Sequence, residues 1–435
     1  MTKSMRFLVF FVAATVLLLF LGCPNQFQSD TETTQFSSVE ASSADGATTL
    51  PIPTRPSVAE LVELRNALPA GRIVAWGVAE GFTDHGQVSD TPTGLDALGF
   101  VAVAGGASHS LALHKDGYIV GWGGWRSNRD GEATPPEGNE FVAIAGGAGH
   151  SVALHEEGYI VGWGRDGYGQ ATPPEGSDFV AIDAGQSHSL ALRADGTIVA
   201  WGNDEAGQVS QTPDYGGFVA IAAGCRKSFA LHEDGYIVGW GGREGWKTPP
   251  EGNDFVAIAA CCIYQLALRA DGSIVAWGWS HPTNVPPDGN DFRAIAVGDV
   301  DHHAVALRQD STLIAWGYDL HGVMDTTPED GGFVAIDGGA YHMLAIQLTT
   351  SQRVAALKEE VAKLDGLNRG QQRALLATLD AAARSLENGR DHVAANQLGA
   401  FVNQVQAFQR SRRLSDNDAE ALIRGAETLL GDLTA

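Results

Sequence analysis

The chain has 435 residues, 44% of them hydrophobic, enough to bury a large core and one or two further domains. Its formal net charge of −24 excludes nucleic acid as a partner, because phosphate recognition needs clustered Lys and Arg. Glycine is the outlier at 54 residues, well above the usual ~7%, and without a collagen period this predicts an all-β fold with many tight turns.

At the N-terminus, Lys3 and Arg6 precede an apolar run from Phe7 to Leu21. That run is shorter than the ~20 residues a membrane-spanning helix needs, so residues 1–22 read as an export signal. Its end, Leu21-Gly22-Cys23, resembles the bacterial lipoprotein lipobox, with Phe20 where an aliphatic side chain is usual. The resemblance implies lipidation of Cys23 and anchoring at the outside of the cell envelope, with plain secretion as the alternative. Residues 23–56 are rich in Ser, Thr, Gln and Asp and predict a disordered tether. Within 57–70, Ser57-Val58-Ala59-Glu60 has the form of a capping box, and Val58, Leu61, Val62 and Leu64 predict one short helix.

Two motifs then recur. Ile-Val-Ala/Gly-Trp-Gly places Trp at 76, 122, 163, 201, 240, 277 and 316, which is 240 residues over six intervals, a mean of 40. Phe-Val-Ala-Ile-Ala-x-Gly, or a close variant, starts at Phe100, Phe141, Phe179, Phe218, Phe255, Phe292 and Phe333. Within one repeat, Phe179 to Ala184, Ser189 to Leu192 and Ile198 to Trp201 read as short strands. Asp195-Gly196 suits a type I′ hairpin turn, and a Pro-containing segment forms or precedes an outer edge. Four short strands per forty residues make one propeller blade. The chain opens on a half-repeat, Gly71 to Gly77, and closes on the complementary half, Phe333 to Ile346. First and last strands should therefore share a blade. The predicted fold over 71–347 is an all-β seven-bladed β-propeller.

The run Ala184-Gly185-x-x-His188-Ser189-Leu190-Ala191-Leu192, followed by Asp195-Gly196, Val199, Trp201-Gly202 and Gly207-Gln208, resembles the regulator-of-chromosome-condensation repeat. The spacing Trp-Gly-x-x-x-x-Gly-Gln…Pro…Phe-Val-Ala-Ile is similar to secreted bacterial members of that family, among them an inhibitor of β-lactamases. The resemblance implies a propeller and a binding role. It does not imply the nucleotide-exchange activity of the nuclear founder, whose partners an exported bacterial chain would not meet.

From Thr350 the charge balances, with 11 basic and 11 acidic residues, and the apolar period changes. Val354, Leu357, Val361 and Leu364 mark one helix and Leu375 to Leu386 a second. Val393 to Phe408 and Ala419 to Leu430 complete a small all-α bundle over 350–435. Leu398-Gly399-Ala400-Phe401-Val402-Asn403-Gln404-Val405 resembles the FIMAH-type helical module of bacterial surface proteins.

Candidate chemistry is sparse. His109, His150, His188, His303 and His342 share one repeat position, with Lys227 and Tyr264 in the other two copies. A ligand shell would not choose those two, so no metal is expected, and each His is expected to hydrogen-bond its own blade. Cys225 and Cys262 align at the tip of adjacent inner hairpins and could form a disulfide, with buried free thiols as the alternative. Cys261 replaces a glycine and reads as packing. No nucleophile–base pair, zinc motif or phosphate loop is visible, so neither an enzyme nor a cofactor is expected.

The loops after each Trp-Gly vary while their flanks stay constant. They carry Phe82, Trp125, Tyr168, Trp246, Trp279 and Tyr318, which should emerge on one rim as a partner-binding face. Asp84, Asp166, Asp204, Glu205, Glu244 and Asp319 between them would select a basic partner. The sequence thus predicts a monomeric, non-catalytic scaffold that touches the membrane only through its lipid and binds a protein. A cell-wall or polysaccharide binder, a carbohydrate-active enzyme and a plain surface spacer stay open as alternatives.

Overall fold

The computed structural model describes residues 8–12, 15–19, 50–77, 84–94, 98–242, 248–278, 285–298, 303–318, 322–364 and 366–434. Leu8–Val12 and Thr15–Leu19, inside the apolar N-terminal run, pair as an antiparallel hairpin. No helix among the described residues is long and apolar enough to cross a membrane.

The repeats form antiparallel sheets of three strands each. In the Phe179 unit, named for its first residue, the inner strand is Phe179–Ala184, the middle strand His188–Arg193 and the outer strand Ile198–Gly202. Successive inner strands lie side by side around an axis, and the Phe333 strand returns to that of the Phe100 unit. Both faces of each inner strand are therefore covered, which is why Phe-Val-Ala-Ile-Ala reads as a continuous apolar run rather than an alternating one. Alanine and glycine fill the inner positions, letting adjacent sheets approach closely.

The first and last strands share a sheet. His342–Gln347 pairs with Gly71–Gly77 in register from His342↔Gly77 to Gln347↔Arg72. Gly71–Gly77 also pairs briefly with the Phe100 unit, so these two units form one six-stranded sheet.

Two local expectations are corrected. No fourth strand forms among the described residues: the Pro-containing segments lack N–H groups for a ladder and stay as loops. The Asp195-Gly196 turn is not type I′, since only Gly196 has a positive φ, at 84°. Gly196 N–H donates to Arg193 O at 2.9 Å, and Arg193 N–H donates to Thr197 O at 2.9 Å. This is a three-residue loop, a type I turn closed by a left-handed glycine.

Register defines two faces. Phe179 pairs with Arg193 beside the hairpin turn, whereas His188 pairs with Gly202 at the opposite end. Each unit thus has a hairpin face and a tip face, and the loop after Trp-Gly leaves from the tip face.

The hairpin face is partly covered. Helix α1, Val58–Ala67, is capped by Ser57, whose hydroxyl accepts from Glu60 N–H while the Glu60 carboxylate accepts from Ser57 N–H. The tether expected through Pro56 ends earlier, because residues from Leu50 onward lie against the propeller. Leu50 is buried and its N–H donates to Ala270 O. Arg55 donates to Phe218 O at 3.0 Å, and Arg65 donates to Phe141 O at 2.8 Å. These carbonyls lie at the bulges where the inner strands begin, and the arginines satisfy them. Residues 50–67 thus form a strap across several units.

The C-terminal helices are α3 Thr350–Lys363, α4 Arg369–Glu387, α5 Asp391–Arg410 and α6 Asp416–Thr434; the single-turn α2, Trp125–Asn128, lies far upstream in a tip-face loop. Leu375, Leu379, Phe401, Val405, Leu422 and Leu429 fill the bundle core. The bundle meets the hairpin face at Gly331, whose N–H donates to Asp432 at 3.4 Å, and at Ala70, whose carbonyl accepts from Gln352 at 2.6 Å.

Candidate functional site: an inter-unit ring and an open loop face

The shared histidine position builds a belt between units. His109 Nε2 lies 2.8 Å from Ser151 Oγ, His150 2.9 Å from Ser189, His188 2.9 Å from Ser228, and His342 2.8 Å from Ser110. Each serine belongs to the next unit, so the expectation that each His bonds its own blade is wrong. The reason is strand geometry: neighbouring residues of a strand point to opposite faces, so His-Ser dipeptides stacked around a ring set one unit's His against the next unit's Ser.

Each serine also donates to a loop carbonyl of the preceding unit. Ser151 bonds Glu132 O at 2.9 Å and Ser189 bonds Gln170 O at 3.0 Å. The indole N–H of the cross-strand tryptophan reaches the same oxygen: Trp163 bonds Glu132 O and Trp201 bonds Gln170 O, both at 2.9 Å. With the hydroxyl proton so engaged, the imidazole donates through Nε2–H. Nδ1 of these four histidines has no hydrogen-bond partner among the described residues. Burial pushes their pKa down, to about 4 for His109 and His188 and about 3 for His150 and His342. Neutral imidazoles spread around a ring and turned toward serines do not converge on a metal. No group of three metal-ligating side chains occurs among the described residues.

Glycine permits this packing. A Cβ on Gly106 would sit 2.1 Å from the His109 ring, and one on Gly147 would sit 2.3 Å from the His150 ring.

The other interfaces differ in step. Tyr264 stands in for His and accepts from Trp316 Nε1 at 3.0 Å, while the facing residue shrinks from Ser to Ala304. Lys227 faces the position of Gln265, and both are buried. At this interface Cys225 and Cys262 are joined as a disulfide, with Cα atoms 4.5 Å apart. Cys261 is buried, its thiol donating to Tyr264 O at 3.0 Å.

The inner strands line a partly open axial cavity of about 50 Å³, walled mainly by Gly and Ala. Asp183 and Asp337 reach it, but both carboxylates link units. Asp183 accepts from Ala223 N–H at 2.7 Å, and Asp337 accepts from Gly105 N–H at 2.8 Å. Burial raises Asp183 to about 7.

On the tip face, Trp125, Tyr168 and Tyr318 are exposed, at 48%, 51% and 41%. The His85 ring meets Trp125 edge-on at 4.7 Å, across two loops. Phe82, Trp246 and Trp279 lie outside the described residues, as do Cys23, Glu244 and Asp319. The described acidic residues mostly serve their own loops. Asp84 accepts from Gly86 N–H, Asp166 from Ala171 N–H and Asp204 from Val209 N–H, while Glu205 lies 4.0 Å from Arg226. Their residue types follow from loop closure before any partner is considered.

Fold and ring together define a repeat propeller with an appended helical bundle. Residues 100–132, 141–170 and 179–208 match the regulator of chromosome condensation (RCC1) repeat, and residues 352–431 match the FIMAH domain. The chain thus carries RCC1 repeats and a C-terminal FIMAH domain, and an RCC1-type propeller fits its fold. Prp20p from Saccharomyces cerevisiae, described with its binding to Gsp1p and histones, is similar in structure at a TM-score of 0.55 and 18% identity, over 69% of this chain and 97% of that one. The yeast RCC1 (Prp20) to which Kap60 is bound gives 0.51 and 17%, over 76% and 99%. At these identities the likeness concerns the fold. No curated protein sequence matches the chain.

Proposed function

We propose that the chain is an exported, non-catalytic scaffold, anchored through a lipid on Cys23, whose seven-bladed ring presents the tip-face aromatics to a protein partner. The observation that carries this reading is the asymmetry of the two faces. Strap and bundle both sit on the hairpin face, whereas Trp125, Tyr168 and Tyr318 stand exposed on the other. A tether leaving from Leu50 would start on the hairpin face and turn the tip face away from the membrane. Rigid aromatics contribute large contact area at little rotamer entropy. The yeast propeller that shares the fold is described as binding proteins, which agrees with a protein ligand.

The test is capture from envelope extract by the full mature chain, compared with a Trp125→Ala, Tyr168→Ala, Tyr318→Ala variant of equal thermal midpoint. Proteins retained by the first and lost by the second are the expected result. Equal capture by both rejects the aromatic face, and sedimentation with purified cell-wall polysaccharide instead moves the assignment to the glycan reading.

A further inference from the structure

We propose that the Cys225–Cys262 disulfide is a redox latch that holds the tip-face side of one inter-unit interface shut, with the opposite side acting as its hinge. The two cysteines occupy one repeat position in the Phe218 and Phe255 units. At the corresponding place elsewhere the link is a single backbone hydrogen bond: Ala107 N–H to Gly147 O at 3.2 Å, Ala148 to Gly185 at 3.3 Å, and Ala340 to Gly106 at 3.2 Å. Each of those three interfaces also carries a His–Ser bridge. Between the Phe218 and Phe255 units the bridging residue types become Lys227 and Gln265, and the link at the tip becomes covalent.

The strap clamps the other side of the same interface. Arg55 bonds Phe218 O in one unit, and Leu50 N–H bonds Ala270 O in the next. Cleaving the disulfide therefore releases the tip side while the hairpin side stays tied. The ring as a whole remains closed by the pairing of His342–Gln347 with Gly71–Gly77. Cys262 is only half-buried, on the face that strap and bundle leave open, so a soluble dithiol can reach it. Reduction breaks the S–S bond with two electrons and two protons from that dithiol, which becomes a disulfide. Cys225 and Cys262 are left as thiols, and a disulfide oxidant reverses the step.

Hydrogen exchange on the full chain, oxidised and after dithiothreitol, tests this. Amides of 223–231 and 260–268 should exchange about tenfold faster or more on reduction, with 105–111 and 146–152 unchanged. A Cys225→Ser, Cys262→Ser variant should match the reduced protein and ignore dithiothreitol. Grafting the bridge with Lys227→His and Gln265→Ser should restore protection to the reduced protein. No change on reduction, or equal acceleration at every interface, overturns the latch. Failure of the graft in a folded protein overturns the claim that the disulfide stands in for the bridge.

Discussion

The ring around the axis and the loops on the tip face come from the same forty-residue unit, yet they follow opposite rules. In the ring a side chain faces the adjoining unit, so a change in one is answered in the next: where His gives way to Tyr264, the facing Ser gives way to Ala304. On the tip face a loop answers mainly to itself. Its Trp-Gly entrance recurs in all seven copies and a Gln or Glu exit in four, and the residue types between them vary freely. Repetition marks where the fold is held, and its breakdown marks where the molecule is free to specialise.

Acid should break this comparison most strongly. Above pH 6.5 the four ring histidines are neutral in both folded and unfolded chains and contribute no pH dependence. Below it, down to about 4, the unfolded chain takes up protons that the buried rings refuse, so stability falls as pH falls. Each histidine contributes up to about 1.4 kcal/mol per pH unit. Asp183 acts the other way, since its raised folded value favours the folded state toward acid. One group against four leaves a net slope of roughly 4 kcal/mol per pH unit. Guanidinium unfolding at pH 7.5, 6.5, 5.5 and 4.5 should show a midpoint that drops steeply below 6.5. His150→Gln, which keeps a donor and loses the basic nitrogen, should flatten the slope by one proton. A flat profile between pH 7 and 5 contradicts the neutral ring.

A matched pair of glycine substitutions sharpens the contrast. In Gly147→Ala the new Cβ would lie 2.3 Å from the His150 ring and 2.6 Å from Gly185 O. It should cost about 3 kcal/mol or prevent folding. Gly167→Ala, on the tip face, meets nothing within 4 Å and should stay within about 0.5 kcal/mol of the parent. Thermal midpoints of the two variants read the difference directly.

The repeat architecture and the helical tail were legible because they rest on periodicity. Phe179 and Ala184 bound the inner strand where the apolar run predicts, and α3 to α6 follow the spacing of their leucines and valines. The His–Ser bridge was missed although its signal was present. His109-Ser110, His150-Ser151 and His188-Ser189 repeat as dipeptides, and alternation along a strand forces such pairs to face different neighbours. The hairpin turn was misread because an Asp-Gly pair suits two loop lengths, and only the register of the strands chooses between them. The helix of the strap was legible but its docking was not, since the contacts are single arginines meeting bulge carbonyls more than 70 residues away in sequence.

The smallest predicted effect tests whether all the loops are held alike. Gln87, Gln170 and Gln208 each accept a loop N–H on Oε1, from His85, Tyr168 and Ala206. Glu132 takes the same place and accepts from Trp125 N–H at 2.6 Å, but its Oε2 is buried without a partner among the described residues. Glu132→Gln keeps the bond that closes the loop and removes a buried charge. It should therefore raise stability by about 1 kcal/mol at neutral pH, visible as a higher thermal midpoint. Partner capture should be unchanged, because Trp125 is held by the same oxygen. A variant less stable than the parent would mean that the carboxylate is satisfied in solution by something a carboxamide cannot bind. The Trp125 loop would then be held by a rule of its own, and the variation that marks the tip face would reach down into its frame.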